Sequence, residues 1–139
     1  MPIGVSGVGA ISGVSTAGGI GYIDAVAPTL ITAEVGAVAD NKIVLTYDEN
    51  LDTGSVPAAG DFAVVSGGLS NAVTNVAVSG TTVTLTLTST AYYGYTVTVS
   101  YTAGTNKIRD VAENEAGNLS SQAVTNNISE DWSASMLNS

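Results

Sequence analysis

The reactive side chains of this sequence are mostly carboxylates, 12 Asp and Glu in 139 residues. Asp48, Glu49 and Asp52 stand together after the apolar run Val44-Leu45-Thr46-Tyr47, and Asp110, Glu113 and Glu115 share a second stretch with Asn114 and Asn118. Paired carboxylates can do general acid/base work, and oxygen-rich loops can hold calcium. Calcium takes six to eight oxygen ligands, and neither stretch has the spacing of a known calcium loop. Nor does anything suggest a cleft with aromatic sugar platforms around a glycosidase-like pair. The expected role of both clusters is therefore that of solvated turns that keep an acidic protein soluble. No metal and no cofactor are expected.

Other chemistries are limited by what the chain lacks. It has no histidine and no cysteine, which removes the classical serine triad, thiol nucleophiles, disulfides and zinc sites built from those ligands. No G-x-S-x-G elbow appears, and Gly4-Val5-Ser6-Gly7 lacks the strand, lysine and helix of a phosphate cradle. Lys42 or Lys107 could form an isopeptide link to an asparagine, but solvated lysines at strand ends are the expectation. Asn118-Leu119-Ser120 and Asn127-Ile128-Ser129 match the glycosylation pattern, which matters only in an exported chain. Tyr92, Tyr93 and Tyr95 read as a strand-end packing cluster, with a glycan platform as the alternative. The chain is expected not to be an enzyme.

Composition bounds the rest. Hydrophobic residues make up 45% and charged residues only 11%, so Thr, Ser, Asn and Gly must coat much of the surface. With three cations and a formal net charge of -9, the chain lacks the clustered Lys and Arg that phosphate-backbone binding requires. Nucleic acid is not an expected partner. Met1 to Ala27 has no Lys or Arg and no unbroken apolar run, so it resembles neither a secretory signal nor a membrane span, and use without Sec export is expected.

The elements that must position these groups are strands. Thr29 to Val35 is expected to place Ile31, Ala33 and Val35 on one face, and Lys42 to Tyr47 to bury Ile43, Leu45 and Tyr47. Thr53 to Gly60 is too broken for a strand and is expected to cross between sheets. Asp61 to Val65 resumes strand character. Ala72 to Val78 and Thr81 to Thr88 read as a hairpin turning at Ser79-Gly80, and Tyr95 to Tyr101 as a strand after a turn at Tyr92-Tyr93-Gly94. Lys107 to Asn127 holds short β-like pieces around an acidic loop. About seven short strands without a long helix point to an all-β, immunoglobulin-like antiparallel sandwich, with a jelly roll or small barrel left open.

The order of these pieces resembles the SwmB-type (SWM) repeat, an Ig-like β-domain of large cell-surface and adhesin-like proteins. Val44 to Asp52, then Ser55-Val56-Pro57-Ala58-Ala59-Gly60-Asp61-Phe62, is similar to that family's opening. Val76 to Leu87, Val97 to Thr102 and Ile108-Arg109-Asp110 with Gly117-Asn118 are similar to its later segments. The resemblance spans roughly residues 28–127 and implies an Ig-like fold. Family members usually sit in long exported chains, whereas this sequence has one copy.

Two flanking segments lie outside that resemblance. Val5, Val8, Ile11, Val14, Ala17, Ile20, Ile23 and Val26 recur every third residue among glycines and serines, which fits an extended, polyproline-II-like arm better than a helix or strand. It reads either as a flexible leader or as an assembly arm whose apolar stripe contacts a neighbour. Residues 128–139 open with Ser129, Glu130 and Asp131, which suit a helix start, and Trp132, Met136 and Leu137 could dock on a partner. The division expected is an arm at 1–27, a sandwich at 28–127 and a docking tail at 128–139.

The functional expectation is a non-enzymatic structural protein of a virus particle, a phage capsid decoration or tail component. Its partners would be other virion or surface-assembly subunits, in a homo-oligomer with a trimer as one option; neither nucleic acid nor membrane is expected. The alternative is a cell-surface or extracellular adhesion or filament module.

Overall fold

Period-two alternation decides most of the strands. The computed structural model describes residues 24–130. Among these the strands are β1 (Leu30–Val35), β2 (Lys42–Tyr47), β3 (Phe62–Ser66), β4 (Leu69–Ser70), β5 (Val73–Ser79), β6 (Thr82–Leu87), β7 (Val97–Tyr101) and β8 (Leu119–Asn126). β2 buries Ile43, Leu45 and Tyr47, β6 buries Val83, Leu85 and Leu87, and β7 buries Val97, Val99 and Tyr101. The residues between them in β2 and β6 are mainly Thr, Val and Lys, whose branched or long side chains suit a half-exposed pleated face. Each fully buried Val, Leu or Ile contributes about 1.5–3 kcal/mol relative to exposure, so these three strands, with nine of the 19 buried apolar residues among those described, supply a large share of the driving force.

The strands hydrogen-bond in the order β4-β3-β7-β8-β1-β2-β6-β5. Neighbours are antiparallel throughout except β1 and β8, which run parallel and pair Glu34 with Thr125 and Val35 with Asn126. The result is one mixed, curled sheet. Its curl shows in β5, which packs against β3 and the Ala59–Asp61 turn although it lies far from both in the strand order. Side chains from both halves then share a single core, with Phe62 and Tyr101 stacked at a ring distance of 5.0 Å. The crossing expected over residues 53–60 is present: this segment carries the chain from β2 in one half to β3 in the other, ending in a 3-10 turn.

Several details differ from expectation, each for a local reason. Ile31 is 60% exposed, because the β1–β2 register slips between Leu30 and Thr32 and turns it outward, leaving Leu30 to pack on the core. The β5–β6 hairpin pairs Ser79 with Thr82, so its two-residue loop is Gly80-Thr81, with Gly80 at φ +57. The described residues hold eight strands rather than about seven because of β4, a two-residue strand after Gly67-Gly68, both at positive φ. Tyr95 and Thr96 stay outside β7: Tyr95 N–H donates to Tyr92 O at 3.1 Å across a turn with Gly94 at φ +80. That positive φ is what a type II turn requires in its third position. Finally, residues 107–127 hold two isolated bridges, Leu51 with Asp110 and Arg109 with Glu115, and then the long strand β8.

Candidate functional site

One end of the domain gathers the acidic groups. β2 runs out at Tyr47, and the next residues turn back so that Leu51 bridges to Asp110 and Asp52 N–H donates to Arg109 O at 2.8 Å. Arg109 sets Nε and Nη2 on Asp52 Oδ2, at 3.0 and 2.9 Å. Asp52 Oδ1 accepts Gly54 N–H at 2.9 Å. The Gly54 N–H first, then the guanidinium, hold the Asp52 carboxyl below its usual range. Ser55, which is buried, donates its hydroxyl to Lys107 O at 2.6 Å, and Ile108 N–H donates to the Tyr101 hydroxyl at 2.9 Å.

Asp110 is 0% exposed, which corrects its reading as part of a solvated turn. Its Oδ1 accepts the N–H groups of Ala112 and Asn114 at 2.8 and 2.9 Å, and its Oδ2 accepts Asn114 Nδ2 at 2.9 Å. Carboxylate oxygens of Asp24, Glu49 and Asp110 come within 4.8 Å of one another. Burial, and next the hydrogen bond shared with Asp110, raise the Glu49 carboxyl above its usual value. Burial also pushes Asp110 up, but the hydrogen bonds from Asn114, Glu49 and Ala112 outweigh it and hold Asp110 low. When the pair holds a single proton, these opposite shifts favour Glu49 as its carrier over Asp110. Three carboxyl oxygens at this spacing can share a proton or contribute to a hard-cation site, although calcium would need further oxygens. Sequence spacing places Glu49 and Asp110 in separate clusters; the fold joins them through the Leu51–Asp110 bridge and the Asp52–Arg109 contacts beside it.

The opposite candidate is aromatic. Tyr92 and Tyr95 meet edge to face with centroids 5.4 Å apart, and both line a pocket with Ser66, Leu69, Ser70, Asn71, Ser89 and Thr90. Tyr93 is 58% exposed and does not line it. Tyr92 and Tyr95 contact each other as a packing cluster would, but both rings keep substantial exposure.

The remaining expected groups fall as follows. Lys42 Nζ donates to Thr86 Oγ1 at 2.8 Å, and Lys107 Nζ lies 3.8 Å from Glu115 Oε2, so both lysines meet partners other than the asparagine an isopeptide requires. Asn118 Oδ1 accepts Ala103 N–H, and Asn127 Nδ2 donates to Glu34 Oε1. The proposed contact residues Val5, Val8, Ile11, Val14, Ile20, Ile23, Trp132, Met136 and Leu137 lie outside the described residues. Val26, in register with the arm's triplets, is exposed. Among the described residues no helix is long and apolar enough to cross a membrane.

Comparison with known proteins places this geometry. The N-terminal part of the bacterial S-layer protein SbsC overlies 74% of this chain at a TM-score of 0.59 and 24% identity. A longer SbsC structure, rSbsC(31-844), overlies 72% at a TM-score of 0.57 and 22% identity. The chain spans 24% and 14% of those two chains, so the likeness is that of a fold. No curated protein sequence matches. The sequence model of the SWM repeat, described as "Putative flagellar system-associated repeat", matches residues 23–106. That stretch runs from the start of the described residues past β7 and so takes in seven of the eight strands found among them, and on this match the chain belongs to the SWM repeat family.

Proposed function

We propose that this chain is a non-enzymatic structural module of a cell-surface or extracellular assembly. The observation that carries the reading is the likeness over 74% of its length to part of an S-layer protein, a surface-lattice component. Membership of a repeat family described as flagellar system-associated agrees with it. Nothing in the comparisons favours a phage particle, and the virion expectation gives way to the surface alternative. A surface setting also requires export, against the expectation drawn from residues 1–27.

The fold itself is proposed to be an immunoglobulin-type sandwich. Cut between β8 and β1, the sheet becomes β5-β6-β2-β1 and β4-β3-β7-β8. In the Ig scheme these are D-E-B-A and an added strand beside C-F-G, with the short parallel pairing of first and last strands joining the halves. Such a domain spends its core on packing and leaves its ends for contacts. The flanks, residues 1–27 with Val5, Val8, Ile11, Val14, Ile20 and Ile23, and residues 128–139 with Trp132, Met136 and Leu137, are proposed to bind neighbouring copies or subunits.

An antibody to the folded domain, applied to intact cells of the source, should label the surface. A pool reached only after lysis would overturn the surface reading. Truncation to residues 24–130 should leave the domain folded while abolishing incorporation into the assembly; normal incorporation would remove the flanks' role.

A further inference from the structure

We infer that the pocket beside the Tyr92–Tyr95 turn binds a neutral saccharide, seating a sugar ring against Tyr92 and Tyr95 with hydroxyl contacts from Ser66, Ser70 and Thr90. The pocket has a volume of about 170 Å³ and is open to solvent along the exposed Tyr92. A pyranose presents apolar C–H faces and a rim of hydroxyls, and binding sites for it combine aromatic surface with uncharged hydrogen-bonding groups. This pocket has both. No charged side chain lines it, in a chain of net charge -9, so neither an anionic nor a cationic ligand is called for.

Ser66 gives the second, independent pointer. It closes β3 at an inward position, is 6% exposed, and its Oγ is buried with no hydrogen-bond partner among the described residues. A buried hydroxyl without a partner costs stability, and Ser66 carries that cost in the lining of this pocket, where a ligand that shifts the wall over the closed-off oxygen would supply the partner that packing does not. Asn71 is already committed: its Nδ2 donates to Ser89 O at 2.9 Å and its Oδ1 accepts Ser89 N–H at 3.0 Å. That exchange ties the two walls of the pocket together.

The aromatic wall is built in advance. Asn126 Nδ2 donates to Tyr92 O at 2.8 Å and to Tyr95 O at 3.0 Å, fixing the turn from β8. The Tyr95 ring lies so close over Gly67 that an added Cβ there would come within 2.8 Å of it. Rings held in place cost little further entropy on binding. A peptide strand added beside the pocket is the less apt occupant, because the edge strand there, β4, offers only two residues of ladder. The inference rests on the pocket alone and does not require the surface-assembly reading.

The test is an amide NMR titration of the full chain with four neutral probes: tetramers of β-1,4-linked N-acetylglucosamine, of β-1,4-linked glucose, of α-1,4-linked glucose and of mannose, each to millimolar concentration. At least one should give saturable shifts confined to residues 66–71 and 89–96. Tyr92→Ala and Ser66→Ala should each weaken that binding by about tenfold, while Tyr93→Ala, outside the pocket, should leave it unchanged. Ser66→Ala should also hold or raise the melting temperature, a combination that a structural role for the hydroxyl would not give. The inference is overturned if no probe shifts these amides, or if Tyr92→Ala and Ser66→Ala bind as the parent does. Shifts at these residues that follow protein concentration without sugar would equally overturn it, assigning the face to a second copy of the chain.

Discussion

Arg109 reaches across from the loop before β8 to clasp Asp52 at 2.9 Å, joining the segment after β2 to the acidic loop at one end of the domain. The pair is partly exposed, with about a third of the Arg109 side chain accessible, so solvent screens it. Asp52 sits below its usual 3.8 because of Gly54 N–H and Arg109. A lowered folded value means stability that is fully present above 3.8 and lost as pH falls through that folded value. Asp52→Asn should therefore melt a few degrees below the parent at pH 7, and the gap should close under strongly acidic conditions and shrink in high salt. Thermal melts across pH check this; a gap that persists unchanged at low pH would mean that the charge is not what matters.

Glu49 has the opposite sign. Its folded value is raised above 4.5 by burial and by the hydrogen bond with Asp110, so the fold favours its protonated form. That contribution is present below 4.5 and is lost as pH rises through the raised folded value. Glu49→Gln keeps a hydrogen-bond donor toward Asp110 without the charge. It should match the parent at acidic pH and exceed it in denaturant midpoint at pH 7, and equal midpoints at both pH values would refute the shared-proton arrangement.

How far these features can be seen in the sequence depends on the range of the interaction. Alternation in Ile43, Leu45 and Tyr47, and in Val83, Leu85 and Leu87, is local, and both strands are legible from it. Ile31 misleads because a bulge inverts the alternation without leaving a Gly or Pro to mark it. Leu69–Ser70 is too short to show a period. The parallel contact of β1 with β8, and the meeting of Glu49 with Asp110, depend on segments far apart in the chain; no spacing rule within either segment encodes them. The clustered tyrosines were visible, but which two of the three share a pocket was set by the turn at Gly94.

Two buried tyrosines should respond oppositely to loss of their hydroxyls. Tyr101 is 0% exposed and its oxygen accepts Ile108 N–H at 2.9 Å, so Tyr101→Phe strands a backbone donor. The expected cost is about 1–3 kcal/mol. Tyr47 is also buried, but its hydroxyl has no partner among the described residues, and its burial first, then the charge of Tyr101, push its ionisation upward. Tyr47→Phe removes a desolvated group and keeps the ring, so stability should stay level or rise by about 1 kcal/mol. Urea titrations of the two variants compare them directly; a large loss for Tyr47→Phe would reveal a hydroxyl contact.

Gly36 and Ile128 carry the last prediction. Gly36 turns the chain after β1 at φ +91, a conformation that L side chains adopt only with strain. An added Cβ would also meet Ile128 Cγ1 at 2.6 Å and Ile128 N at 2.9 Å. Ile128 is half-buried against the core, and Asn127 N–H just before it donates to Val35 O at 2.8 Å, so the chain after β8 is seated on the start of this turn. Gly36→Ala should cost about 1–3 kcal/mol through strain and displacement together. Ile128→Ala should relieve the side-chain clash but neither the backbone contact nor the positive φ, so the double variant should recover only part of the loss. Full recovery in a double-mutant cycle would show that the turn tolerates a side chain and that Ile128 packing alone demands glycine at position 36.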